Sequence, residues 1–339
     1  MKKTLVAIAA VVAATGAMAE STLGGFMQIG INQTKTTAAS TTTTTNLEDS
    51  NANTQISVTD VEDLGDGMKA TFVISLSPGL SYGSTNAATG GGQQTYAALS
   101  GAFGEIKVGT FGNDQFWTVV AGDSTGYMGS NAAVINQAYD TLGAGTNWTS
   151  KQVRYQLPTI ATGLTLAYTA KMAETATTDG TGGAQTLFAG YTTGGFNAQL
   201  AATQYKASTG DTDTLTGIAA SYDFGVAKLY ALSTSAKLGG TVLGDTGSVS
   251  GTNFGVSVPL GAFTIMYNKA SATGNLYQRN ITAVDQSSQD VGVTYAFSKK
   301  TTAWVLFTKY NGASGGQGTD TATDGYGYDS LRVMLTHAF

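Results

Sequence analysis

The chain has 339 residues, with 45 glycines, only 3 prolines, no cysteine and 12% charged residues. The lack of cysteine rules out a disulfide framework and thiol chemistry, and 22 acidic against 17 basic residues argue against nucleic acid as a partner. Beyond the first nineteen residues no 18 consecutive positions are apolar, so no helix is expected to cross a membrane.

The first element is a leader. Met1-Lys2-Lys3-Thr4 is basic, Leu5 to Ala14 is unbroken apolar sequence, and Ala17-Met18-Ala19 has the spacing of a cleavage site. Residues 1–19 therefore read as a secretory signal peptide, and residues 20–339 as the mature domain. Losing Lys2 and Lys3 would make that domain more acidic still.

From there the dominant signal is alternation of period two. Leu23, Met27, Ile29 and Ile31 supply one apolar face near the start. Leu164, Leu166, Tyr168, Ala170 and Met172 alternate with Thr165, Ala167, Thr169 and Lys171. The same holds for Phe196 to Thr203, for Phe263 to Asn268 and for Asp290 to Phe297. Each of these segments has an apolar, aromatic face and a small, polar face.

Connections alternate between two kinds. Short turns are expected at Leu64-Gly65-Asp66-Gly67, Ala102-Phe103-Gly104, Thr159 to Gly163, Thr193-Gly194-Gly195, Asp223-Phe224-Gly225, Pro259-Leu260-Gly261 and Phe297-Ser298-Lys299. Longer polar loops are expected at 33–54, 78–93, 112–150, 174–184, 206–212, 237–249, 272–284 and 311–326. Seven turns and eight loops join sixteen strands of roughly 8–12 residues. A soluble sandwich would have to stack the apolar faces on one another. A closed antiparallel barrel with its apolar face in lipid satisfies every observation, because closure leaves no unpaired edge. Such a barrel is too wide for side chains to fill, so its lumen should hold water. The last strand, Leu331 to Phe339, would pair with the first, with Val333, Leu335 and Phe339 on the lipid side of the seam.

With these elements the chain resembles the Gram-negative general porins, most closely the β-proteobacterial trimeric kind. The resemblance is carried by Val61-Glu62-Asp63-Leu64-Gly65-Asp66-Gly67-Met68-Lys69-Ala70, Leu99 to Gly104, Val153-Arg154-Tyr155, Tyr222 to Tyr230, Val291 to Lys299 and the terminal Phe339. It implies an all-β, sixteen-stranded transmembrane β-barrel with an inward-folded third loop, a homotrimer, and passive diffusion of small hydrophilic solutes and ions. It also implies contact with outer-membrane lipid and lipopolysaccharide, and a barrel assembly machinery that reads Phe339.

The third loop, 112–150, holds Asp114, Asp123 and Asp140 and no Lys or Arg. Its aromatics, Phe116, Trp117, Tyr127, Tyr139 and Trp148, are too many for a solvated tether, so the loop should pack inside the barrel and form the constriction. The resemblance places basic wall residues opposite its acids, yet Gln55 and Thr110 stand where arginines would be and only Arg154 remains. Lys107 and Lys69 alternate with apolar neighbours and are expected to face the lumen. A wall thinned of its basic residues predicts a weakly cation-selective or unselective pore.

Other chemistry lacks a signature. One histidine, His337, cannot be matched to a triad at an outward position, and no zinc, phosphate-loop or dinucleotide motif is present, so neither enzyme activity nor a cofactor is expected. Asp60, Glu62, Asp63 and Asp66 could ligate a divalent ion, but read more simply as a solvated turn. A competing function is a surface adhesin or structural anchor with a closed lumen.

Overall fold

Strands follow from alternation, since successive residues of a strand point to opposite faces. The computed structural model describes residues 20–37, 41–48, 54–76, 92–126, 128, 148–172, 183–205, 212–239, 246–276, 281–313 and 325–339. The candidate leader and Asp140 lie outside them. The described chain forms strands β1 (Glu20–Thr37), β2 (Thr41–Glu48), β3 (Gln55–Gly65), β4 (Met68–Leu76), β5 (Gly92–Gly101) and β6 (Gly104–Gly112). Helix α1 (Asp114–Ala121) follows, then β7 (Trp148–Gln156), β8 (Leu164–Lys171), β9 (Ala184–Thr193), β10 (Phe196–Tyr205) and β11 (Asp213–Asp223). The series ends with β12 (Lys228–Gly239), β13 (Thr246–Leu260), β14 (Phe263–Leu276), β15 (Ile281–Ala296), β16 (Thr301–Ala313) and β17 (Gly325–Ala338).

The sheet closes where β1 pairs with β17, from Phe26 opposite Ala338 to Thr37 opposite Gly327. Ile29 faces Leu335 and Ile31 faces Val333, as the alternation requires. Gly25 and Phe339 then exchange both backbone hydrogen bonds, each 3.1 Å. The Phe339 ring lies over Gly25, where any side chain would collide with it. On its other edge β1 meets β3 along Glu20–Phe26 and β2 along Gly30–Thr37. These two segments share one position, so the described segments build a closed sixteen-stranded antiparallel barrel.

All seven predicted short turns are present. At the β3–β4 turn Gly65, Asp66 and Gly67 all have positive φ, a conformation that glycine adopts without a steric cost. Three predicted loops are shorter than expected. The stretch 33–54 holds β2 paired to β1, and strand structure reaches into 237–249 and 272–284. Thr dominates 33–54; its polarity suggests a loop, while its β-branched side chain suits a paired strand.

The outward face is the expected one. Leu23, Ile31, Ile74, Leu187, Ile218, Phe254 and Val305 are exposed large apolar residues, as are the rim aromatics Tyr168, Tyr295, Phe297 and Phe339. The inward face departs from expectation. Along β11 to β16 it is apolar as well as small: Leu215, Ala219, Leu232, Ala236, Leu238, Val249, Ala270 and Ala272 are buried and join one cluster. Part of the wall is thus packed and dry, not open to a wide aqueous lumen.

Candidate functional site

Residue parity sorts the inner wall. On β6, Ile106 and Val108 are exposed to the outside, so Lys107 faces in. Lys107 pairs across strands with Arg154 on β7, and Arg154 with Thr169 on β8. The same inward row continues through Thr186 and Thr203, whose hydroxyls are 2.9 Å apart. Two cations thus stand side by side at one end of a ladder of hydroxyls.

Each cation has its own carboxylate. Lys107 Nζ lies 3.5 Å from Glu105 Oε1 and over the rings of Tyr96 and Phe111, at 4.8 and 5.5 Å from their centroids. Arg154 Nη2 lies 3.3 Å from Asp114 Oδ1, and Nη1 donates to Gln156 Oε1 at 3.0 Å. Asp114 also accepts from the Thr169 hydroxyl at 3.0 Å. Asp114 opens α1 behind Asn113, whose side chain accepts from the Phe116 N–H at 2.7 Å and caps the helix. A carboxylate in the first turn suits the positive end of the helix dipole.

From that root the described part of the third loop runs along the inner wall. Gln115 Nε2 donates to the carbonyls of Ala201 and Leu215, both at 2.9 Å, and to Thr203 Oγ1 at 3.1 Å. Phe116 and Val119 enter the apolar cluster on β11 and β12. Asn253 Nδ2 on β13 donates to the Gly122 carbonyl at 2.8 Å. Asn268 on β14 donates to Asp123 and accepts from the Ser124 hydroxyl at 3.0 Å. Arg332 Nη1 on β17 donates to the Met128 carbonyl at 2.8 Å. The loop is therefore folded inward and tethered to β7, β10, β11, β13, β14 and β17.

The predicted site residues separate into groups. Arg154, Lys107 and Asp114 come together as described. Asp123 is buried and accepts from Asn268 and Thr125. Lys69 faces inward one inward row nearer the short turns, opposite Asp63 and Ser100. Gln55 faces inward at the start of β3, opposite Phe26 and several rows away.

Thr110 corrects the sequence reading. It sits in the cross-strand row Val58, Ile74, Thr95, Thr110, whose Val58 and Ile74 are exposed on the outside. Thr110 is an odd number of positions beyond Lys107, with only Val108 and Gly109 between them, and β6 pairs with β5 without a bulge, so the two cannot share a face. Among the described residues no three carboxylate or histidine groups converge as metal ligands. His337 Nδ1 contacts the Thr301 hydroxyl at 2.9 Å on the outer face.

Sequence reasoning missed the residues that hold the loop, namely Gln115, Asn253, Asn268 and Arg332. Amides at inward positions of strands were the available signal, since a buried amide must find partners. It also missed α1, although Asn113 followed by Phe116, Val119 and Val120 carries a cap and a helical spacing.

Residues 4–328 match the Gram-negative porin family. This chain belongs to the Gram-negative porins. Outer membrane porin protein 32 of Delftia acidovorans is 27% identical over 367 residues, covering 100% of both chains. The anion-selective porin from Comamonas acidovorans superposes with a TM-score of 0.78 at 20% identity, covering 95% of this porin and 100% of that chain. OmpF of Salmonella typhi gives 0.73 at 14% identity, covering 95% and 98%. The porin is an outer-membrane channel protein of the β-proteobacterial kind, and its family and fold point to a channel, not an enzyme.

Proposed function

We propose that this porin passes small hydrophilic solutes and ions by passive diffusion, as a homotrimer and with little preference between cations and anions. The observation that carries the reading is the pairing on the inner wall. Lys107 and Arg154, neighbours in one inward row, are matched by Glu105 and Asp114, so the wall there is nearly neutral. The cation preference suggested by Gln55 and Thr110 loses half its ground, because Thr110 lies on the outer face and only Gln55 faces inward. The Comamonas relative is anion-selective, which also speaks against a cation-selective pore. The trimer and recognition of Phe339 by an assembly machinery are supported by the family alone, and cleavage of a leader by the pattern of residues 1–19.

Single-channel recording in a planar bilayer under a salt gradient tests this. Current steps in threes with a reversal potential near zero are expected. A strong shift toward either ion would overturn the unselective reading. Silent insertion would instead favour a closed barrel serving as an adhesin or anchor.

A further inference from the structure

One side chain of α1 faces away from the wall that holds the helix. Gln115, Phe116, Thr118 and Val119 are buried, and Gly122 at the helix end lies against Leu232 and Ala219 of the wall. At about 100° per residue these positions share one face, and Trp117 falls on the opposite one, toward the lumen. Among the eight residues of α1, Trp117 alone is exposed, at 44%. Phe116 and Val119 already fill the wall side of the helix with apolar surface. A large ring left in water is unfavourable, so helix packing gives no account of an indole at this place.

Its neighbours are polar. Trp117 lies one turn beyond Asp114, which puts their Cβ atoms about 5–6 Å apart. Asp114 is held by Arg154, so the indole stands beside the paired charges of the wall. There Lys107 is opposite Arg154, and one inward row nearer the short turn Glu105 is opposite Gln156. An ammonium, a guanidinium, a carboxylate and an amide thus form a two-by-two block on strands about 4.8 Å apart. Lys107 and Glu105 are 22% and 32% exposed, against 12% and 9% for Arg154 and Asp114. The first pair is the one a solute can reach, and the second fixes the helix beside it.

An apolar ring beside donors and acceptors of matched charge suits one class of solute. An ion gains little there, since each charge on the wall is already answered by its partner. An uncharged pyranose sugar matches both surfaces. Its ring C–H groups make an apolar face that packs on the electron-rich face of an indole. Its hydroxyls both donate and accept, so an ammonium and a carboxylate side by side satisfy them together. We propose that Trp117, with Lys107 and Glu105, forms a weak binding site for uncharged pyranose sugars inside the channel. Weak binding is what conduction allows, because a solute that enters must also leave. The inference rests on the diffusion reading above and adds a solute class to it.

The test uses the full-length protein purified from the membrane and recorded in a planar bilayer in potassium chloride. Glucose or maltotriose added to one side should lower the current along a saturating curve. Sorbitol, a polyol without a ring, should lower it only in proportion to viscosity. Trp117→Leu should raise the half-saturating maltotriose concentration roughly tenfold, and Trp117→Phe should stay near wild type. Equal half-saturation for wild type and Trp117→Leu would overturn the proposal. So would saturation by sorbitol as readily as by glucose, which would make hydroxyls and not the ring the cause. Saturation by benzoate with none by either sugar would also overturn it, and would give the site to aromatic anions. Recordings without sugar keep the two readings apart. Silent insertion would remove both, whereas steady current steps with no saturation by sugar would remove this one alone.

Discussion

Asp114 is the residue on which the charge balance of the lumen turns. It answers Arg154 while starting α1 and accepting from Thr169, so one carboxylate serves pore electrostatics and loop position together. Asp114→Asn keeps the cap geometry and frees the Arg154 charge. The anion-to-cation permeability ratio should then rise, on the order of twofold after screening. An unchanged reversal potential would mean that the pair does not border the ion path. Thr110→Arg should do the opposite of what the resemblance suggests. It should leave selectivity alone and destabilise the barrel, by up to about 2–4 kcal/mol if the site lies mid-membrane, read as a lower urea midpoint. Parity explains both. Alternation from an inward Lys107 places Thr110 outside, whereas the family resemblance at Gly109-Thr110 would have placed it inside.

At the scale of elements, the strands were legible and the third loop only partly so. Alternation marks a strand whose two faces meet different surroundings, which is why the seven turns and the closing seam could be read directly. The long loops were harder, because Thr41 to Thr45 is polar and yet continues the hairpin with β1. The path of the loop was illegible for another reason. Its tethers run from Gln115, Asn253 and Asn268 to partners more than 80 residues away in sequence. No local pattern encodes such partners. Replacing Asn253 and Asn268 together with leucine should release the loop from β13 and β14 and raise both single-channel conductance and open-channel noise. A recording indistinguishable from wild type would show that α1 and Arg332 hold the loop unaided.

For the molecule as a whole, closure is the cooperative event. The seam of β1 and β17 runs without interruption from Gly25 and Phe339 to Thr37 and Gly327, and the Phe339 ring occupies the space that Gly25 leaves. Gly25→Leu and deletion of Phe339 should therefore both impair closure, seen as less heat-modifiable barrel in the outer membrane. Normal levels for both variants would detach the seam from assembly.

The tethers of the third loop have an electrical consequence. Along β10 to β14 they are amides, hydroxyls and backbone carbonyls, with Asp123 accepting from the Asn268 amide. Mobile ions do not screen neutral hydrogen bonds as they screen separated charges. The aperture should keep one width from dilute to molar electrolyte, and a nearly neutral wall gathers no excess counterions at the dilute end. The protein should then behave as a fixed ohmic resistor, with conductance proportional to that of the bathing solution and no plateau at low salt.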